Sequence, residues 1–377
     1  MEYNNQLALS PTSVTVLTVP QELICPHCQT RLKEQSVPPP RKPKNKRLWV
    51  DAVQVLELTQ ALTLAQKAVE WNERPLLNRP GRRRGAPRVY SDATVLLTFL
   101  IAKLWHLSYE EMLGWLLNWP RLAHSLGYPL DPKTCRLRLI SLGSYSKRLA
   151  NLSLKVYFAF FVLLVGQLVK AGIISGYDLI MDSTIVRAWS ESDSYCAISY
   201  KYRDVNKRFG IKVHTLLDRI SGLPVMVGLS PANANDGPFA LPLLQAAVHF
   251  FKFRVGIVRG DAAYDSKALW RYVVGHLKAI WAVDYNLRRA GKKKLAEREA
   301  MKHWRYFMRP RSTIERFFRW VKCYYQLKYF KVQGHSAIMR HVLATYSATL
   351  FVGWVAACYK RPDLMRSPSR VLAYFDA

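Results

Sequence analysis

The order of strand-like and helix-like segments after residue 177 is the feature that most constrains the fold. Three β-rich runs come first, and a turn at Ser221-Gly222 separates the second run from the third, which predicts an antiparallel hairpin. A helical segment, a short strand, a helix, a strand and a long last helix follow. This order predicts an α/β domain over residues 173–356, with a mixed five-stranded sheet flanked by helices.

The preceding residues, 49–172, are predicted to form a small all-helical domain. Ser91 is placed as an N-cap, and Ser108 and Glu111 have the spacing of a capping box. A basic loop between two helical segments favours contact with DNA, although a helical bundle that only supports the sheet is the alternative. The basic residues of that loop are Arg82, Arg83 and Arg84.

The two ends of the chain are predicted to be tails, residues 1–48 (basic and Pro-rich) and residues 357–377. Cys25 and Cys28 have the spacing of half a zinc site, but the sequence offers no second such pair, so zinc binding is left open. The N-terminus lacks the pattern of a signal peptide. Two apolar stretches, residues 156–166 and 342–358, are predicted to be buried core helices, so we expect a cytoplasmic, nucleoid-associated protein with no membrane partner.

The charge of the chain indicates a polyanionic partner. Lys and Arg number 56 against 26 Asp and Glu, a formal net charge of +30, on a chain that is 50% hydrophobic. That apolar content excludes a disordered basic polymer and favours a folded protein that binds nucleic acid. Residues 288–331 hold 15 of the basic residues against 3 acids, with aromatic residues interleaved. The candidate DNA-binding residues there are Lys292, Lys293, Lys294, Arg311, Arg316, Arg319 and Lys322.

Three acidic residues stand out because they end apolar strands or border an apolar helix face. Asp182 lies within or at the end of the first strand, and Asp261 follows the short strand. Glu315 lies beside the apolar face of a basic helix. Converging carboxylates supply the hard oxygen ligands that Mg²⁺ prefers, and two such ions about 3.5–4 Å apart can assist an in-line displacement at phosphorus. Asp265 is the second choice to Asp261, because it lies four residues past the strand end.

At these residues the sequence resembles the bacterial insertion-sequence DDE transposases. The element order is compatible with the ribonuclease-H-like sheet of that family. On the last helix, Arg311, Glu315 and Lys322 match the family signature Tyr-x2-Arg-x3-Glu-x6-Lys, but Met308 stands at the Tyr position. The other matching segments, in the expected order, are Met181-Asp-Ser-Thr184, Gly210-Ile-Lys-Val-His214, Ala232-Asn-Ala-Asn-Asp236 and Gly260-Asp-Ala-Ala-Tyr-Asp265.

The resemblance implies that Asp182, Asp261 and Glu315 are the catalytic triad and bind two Mg²⁺ or Mn²⁺ ions. It implies that a homodimer cleaves double-stranded DNA at the transposon ends and joins those ends to target DNA. It also implies that Arg311 and Lys322 bind phosphate near the cleaved end. Asp236 and His214 recur in the family pattern with open roles, and His214 either faces the site or is a core histidine. Two alternatives are a catalytically lapsed DNA-binding protein and a ribonuclease-H-like nuclease without strand transfer.

Overall fold

The computed structural model describes residues 61–70, 89–131, 133–199, 209–286, 309–328, 331–358 and 360–366. Most residues of the two predicted tails lie outside these ranges. So do Cys25, Cys28, Arg82, Arg83, Arg84, Lys292, Lys293, Lys294 and Met308.

Six strands form one mixed sheet. They are β1 (Asp178–Arg187), β2 (Ala197–Ile198), β3 (Phe209–Asp218), β4 (Pro224–Pro231), β5 (Ile257–Gly260) and β6 (Ile280–Val283). The order is β4-β3-β1-β5-β6, antiparallel from β4 to β1 and parallel from β1 to β6, and β2 pairs with the start of β3. This is the predicted ribonuclease-H-like arrangement. Strand β2 is additional, since two residues are too few to carry a periodic signal.

The β3–β4 hairpin forms where the sequence predicts it. Gly222 has φ +69°, a left-handed conformation that glycine adopts without strain. The buried Asp218 carboxylate accepts from the Ser221 N–H and hydroxyl, both at 2.8 Å, and from the Gly176 N–H at 2.9 Å. One side chain therefore closes the hairpin and anchors the segment that leads into β1.

The described part of the chain contains ten α-helices. They are α1 (61–70), α2 (Asp92–Trp105), α3 (Tyr109–Asn118), α4 (Pro120–Ser125), α5 (Leu142–Asn151), α6 (Leu154–Lys170), α7 (Gly237–Phe251), α8 (Lys267–Trp270, continued by a π-turn to His276), α9 (Ser312–Cys323) and α10 (His335–Cys358).

The helix starts confirm the predicted capping residues. The Thr94 N–H donates to Ser91 Oγ at 2.9 Å at the start of α2. At the start of α3 the Glu111 N–H donates to Ser108 Oγ, and the Glu111 carboxylate accepts from the Ser108 N–H at 2.7 Å. The N–H groups in the first turn of a helix have no carbonyl partner within the helix, and these bonds satisfy some of them.

Helix α10 joins the helical region to the sheet. It packs against α6, α2 and β4, and the Tyr346 hydroxyl hydrogen-bonds Thr215 of β3 at 2.7 Å. It is long and apolar enough to cross a membrane, but 89% of its most apolar window is buried inside the protein. The helical region and the sheet therefore share one continuous hydrophobic core.

Candidate active site

Two of the predicted carboxylates lie next to each other across a pair of parallel strands. Strands β1 and β5 pair with Ile180 opposite Arg259, so continuing the register by two residues sets Asp182 opposite Asp261. Neighbouring strands are about 4.8 Å apart. Asp182 Oδ1 accepts from the Ser183 N–H at 2.8 Å, and Asp261 Oδ1 accepts from the Ala263 N–H at 2.9 Å. The register thus places the two residues at neighbouring positions where β5 ends.

The register also decides which face of the sheet Asp182 occupies. Its partner on β3 is Thr215, whose hydroxyl bonds Tyr346 of α10. The next pair along, Ser183 and His214, points to the opposite face, where the His214 ring stacks on Phe239 of α7. Asp182 therefore lies on the α10 face of the sheet.

Glu315 lies on the same side of the sheet, on α9. Phe317 of that helix packs edge-to-face on Tyr346 of α10, with the ring centroids 5.3 Å apart. The buried face of α9 comprises Thr313, Ile314, Phe317, Phe318 and Val321. Glu315 borders this face and is exposed. Within the described ranges, no three Asp, Glu, His or Cys side chains are gathered closely enough to hold a metal ion, so the structure brings together Asp182 and Asp261 but not all three carboxylates.

Helix α9 also carries the predicted phosphate-binding residues. Arg311 precedes its first turn, and its Nε is buried with no hydrogen-bond partner among the described residues. Arg316 donates to the Thr313 hydroxyl at 3.3 Å, Arg319 is exposed, and Lys322 lies in the last turn. The basic groups and Glu315 are thus presented by one helix next to the Asp182 face.

A second polar cluster lies under Asp182, on the α7 face. Asp236, directly before α7, accepts from the Ser183 hydroxyl at 2.9 Å. The Lys212 ammonium lies 3.1 Å from the same oxygen, and His214 Nδ1 lies 3.7 Å from it. Lys212 also donates to the Ala234 carbonyl at 2.6 Å. The sequence pattern leaves the roles of Asp236 and His214 open and does not single out Lys212. The two-residue spacing of Lys212 and His214 on one strand nevertheless indicates that they share a face of the sheet.

His214 is a core histidine on the face opposite Asp182. It is 1% exposed, Nε2 lies 2.7 Å from the Ser230 hydroxyl, and its ring stacks on Phe239 with the centroids 4.3 Å apart. Burial lowers the pKa of His214 to about 4, with Lys212 acting in the same direction and Asp236 opposing both. Of the two interpretations of this residue, the core histidine is the one that the structure supports.

We expect this histidine to make stability fall in mild acid. Its pKa is below the ordinary 6.5, so the unfolded chain takes up the proton first. The stabilisation is therefore complete above pH 6.5 and is lost as the pH falls towards 4, by up to about 3 kcal/mol. Chemical denaturation from pH 7 to pH 4.5 measures the loss, which should be smaller in His214→Gln. Burial also lowers the pKa of His341, so this residue adds the same loss of stability in wild type and in His214→Gln. If the free energy of unfolding falls equally with pH in the two proteins, the assignment to His214 is contradicted.

Asp265, the second choice for the catalytic aspartate, has a structural contact. Its Oδ2 accepts from the Asn286 N–H at 3.1 Å, just past the end of β6. It also ends the short 3₁₀ turn Ala262–Tyr264 that follows Asp261. The geometry therefore favours Asp261 as the neighbour of Asp182.

Part of this chain matches a known protein family. Residues 175–351 match the family described as the transposase DDE domain, whereas no curated protein sequence matches. Among solved structures, the chain is similar to the piggyBac transposase synaptic complex with hairpin DNA, at 11% identity and TM-score 0.43, covering 84% of this chain and 80% of that one. It is also similar to a pre-cleavage Mos1 transpososome, at 13% identity and TM-score 0.19, covering 86% and 98%. The segment that matches the transposase DDE domain, residues 175–351, thus contains Asp182, Asp261 and Glu315.

Proposed function

We propose that this chain is a DNA transposase that binds transposon-end DNA and catalyses metal-dependent strand cleavage and strand transfer. The observation that carries the proposal is the adjacency of Asp182 and Asp261 across β1 and β5 within a segment that matches the transposase DDE domain. In open α/β sheets, functional sites form beyond the carboxyl ends of the strands, where Asp261 lies.

The structure supplies two of the three carboxylates that would bind divalent metal ions at neighbouring positions. Asp182 and Asp261 are hard oxygen ligands in adjacent register. Glu315 would be the third ligand, from α9 on the same side of the sheet. When bound, two Mg²⁺ or Mn²⁺ ions would supply charge stabilisation at the attacking and leaving oxygens. Because Glu315 is exposed and apart from the pair, we assign it to the ligand set from its helix position and the family signature alone.

The remaining residues of the site would position DNA. Arg311 and Lys322 would hold phosphate near the cleaved end, and Arg316 and Arg319 would extend that contact along the exposed side of α9. Lys292, Lys293, Lys294, Arg82, Arg83 and Arg84 are proposed as further phosphate contacts from their sequence.

The chemistry would be two successive phosphoryl transfers with no covalent protein intermediate. In the first, the oxygen of water bonds to phosphorus at the transposon end while the bond to the 3′-oxygen breaks, and a 3′-hydroxyl leaves with a proton. In the second, that hydroxyl bonds to a phosphorus of target DNA and a target 3′-hydroxyl is released. The protein contributes positioning and charge stabilisation. Both transposon ends must be held together, which favours a homodimer on DNA in a cytoplasmic, nucleoid-associated complex.

A cleavage and joining assay tests the proposal. Purified protein is incubated with Mg²⁺ and DNA that contains the inverted repeats flanking the coding region. We expect nicked ends and, with target DNA present, joined products, both abolished by EDTA. Binding without cleavage would favour a lapsed DNA-binding protein, and cleavage without joined products would favour a nuclease.

A further inference from the structure

Ser183, the residue after Asp182 on β1, makes hydrogen bonds to groups on both faces of the sheet. Its backbone N–H donates to Asp182 Oδ1 at 2.8 Å, and its side-chain hydroxyl donates to Asp236 Oδ1 at 2.9 Å. The backbone N–H groups of a strand lie near the plane of the sheet, whereas successive side chains point to opposite faces. One residue therefore connects the Asp182 carboxylate, on the α10 face, with the Asp236 carboxylate, on the α7 face.

The Asp236 carboxylate is held in place by β3 and α7. The Lys212 ammonium lies 3.1 Å from the same Asp236 oxygen, and it also donates to the Ala234 carbonyl at 2.6 Å. The Lys212 and Asp236 side chains are only 11% and 13% exposed, and a charge-assisted bond is stronger than a neutral one. Helix α7, which begins directly after Asp236, packs against β3 and β4. The Ser183 hydroxyl is thus bonded to a group that is itself fixed.

Strand β1 has a neighbour on one side only at this position, among the described residues. Its pairing with β5 covers residues 178–180, whereas Ser183 is paired with His214 of β3. A strand edge without a neighbour lacks the ladder bonds that would restrain its backbone. The bond from the Ser183 hydroxyl to Asp236 is therefore an additional restraint on β1, directly after Asp182.

We propose that Ser183 is a positioning residue, whose hydroxyl, held by Asp236, fixes the backbone N–H that orients the Asp182 carboxylate. The bonds that carry the proposal are continuous from the Lys212 ammonium through Asp236 and Ser183 to Asp182. Hydrogen-bond partners of a metal-ligating carboxylate set its orientation and so affect metal affinity and rate. The inference rests on the proposed function, since it assigns the role of Ser183 within that site.

The test removes the hydroxyl and then restores it. Ser183→Ala deletes the donor to Asp236, and we expect cleavage of end DNA to become about 10–100-fold slower. The Mg²⁺ concentration for half-maximal rate should rise, because the carboxylate is less well oriented for binding. Ser183→Thr keeps a hydroxyl on a residue type that suits a strand, so it should recover most of the rate.

Ser230→Ala is the matched control for a hydroxyl with a structural role only. Ser230 is 1% exposed and lies opposite Lys212 in the register of β3 with β4. Its hydroxyl lies 2.7 Å from His214 Nε2 and donates to the Pro231 carbonyl at 3.2 Å. The substitution therefore disturbs the same polar cluster but leaves the bond from Ser183 to Asp236 intact. We expect Ser230→Ala to lose stability and yet to match wild type in rate and Mg²⁺ dependence.

A second measurement does not depend on activity. Mn²⁺ ions alone should raise the melting temperature of wild type, Ser183→Thr and Ser230→Ala, and raise that of Ser183→Ala less. Melting in EDTA shows the temperature below which each variant is folded, and all rates are compared below it.

The outcomes separate the role of Ser183 from the proposed function. Suppose that wild type cleaves DNA and Asp182→Asn does not, but that Ser183→Ala behaves like Ser230→Ala in rate, Mg²⁺ dependence and Mn²⁺ shift. The role of Ser183 is then overturned and the proposed function stands. If wild type shows neither cleavage nor a Mn²⁺ shift, the proposed function fails and the role of Ser183 fails with it.

Discussion

Asp182→Asn should abolish DNA cleavage and strand transfer while DNA binding survives. The substitution keeps the shape of the side chain and its Oδ1 acceptor for the Ser183 N–H, but it removes the charge that a metal ligand needs. Losing several kcal/mol of charge stabilisation lowers the rate by about 10³-fold or more. The variant should also be at least as stable as wild type, because two adjacent carboxylates repel each other.

The matched control for this variant is Asp265→Asn. Asp265 is the competing aspartate, and its contact to the Asn286 N–H can be kept by the amide oxygen of asparagine. We expect it to cleave at close to the wild-type rate. Cleavage is measured on labelled end DNA and binding by gel shift in EDTA, with contaminating wild-type protein excluded. Full cleavage by Asp182→Asn, or loss of cleavage in Asp265→Asn alone, would show that the site has been assigned to the wrong carboxylates.

Local patterns predicted those parts of the fold that depend on local physics. The hairpin followed from Ser221-Gly222, the capping box from Ser108 and Glu111, and the place of Asp261 from the apolar strand before it. Each depends on residues within one turn or one strand. The additional strand β2 was missed because two residues have no period.

Contacts between distant segments could not be predicted in this way. The Lys212–Asp236 ion pair forms only because β3 and the start of α7 meet on one face of the sheet. Tyr264 reads as an ordinary core aromatic, since no local pattern reveals that its hydroxyl is buried without a hydrogen-bond partner among the described residues. Likewise, only the register of β1 with β5 identifies Asp182 and Asp261 as neighbours, because the two residues belong to separate strands.

A buried ion pair should hold these two strands in that register. At the start of β1, Asp178 is 2% exposed and accepts from Arg259 of β5 through two bonds, Nε at 2.7 Å and Nη2 at 2.9 Å. Arg219, beyond β3, makes a further ion pair with it. Asp178 lies four residues before Asp182, and Arg259 two residues before Asp261, so the pair joins the same strands that present the carboxylates.

Asp178→Ala should therefore destabilise the protein strongly, because it leaves the Arg259 charge buried without this partner. Removing one member of a buried pair costs about 3–5 kcal/mol. Asp363→Ala is the matched control, since Arg361 and Asp363 make the same two-bond contact at 2.9 and 2.8 Å but are 38% and 58% exposed, where a pair contributes at most about 1 kcal/mol. The free energy of unfolding in urea measures both.

The double variant Asp178→Leu with Arg259→Met should lose less stability than the sum of the losses in its two single variants, because no charge remains buried alone. Equal losses in Asp178→Ala and Asp363→Ala would mean that apolar packing between β1 and β5, and not this ion pair, sets the register of Asp182 and Asp261.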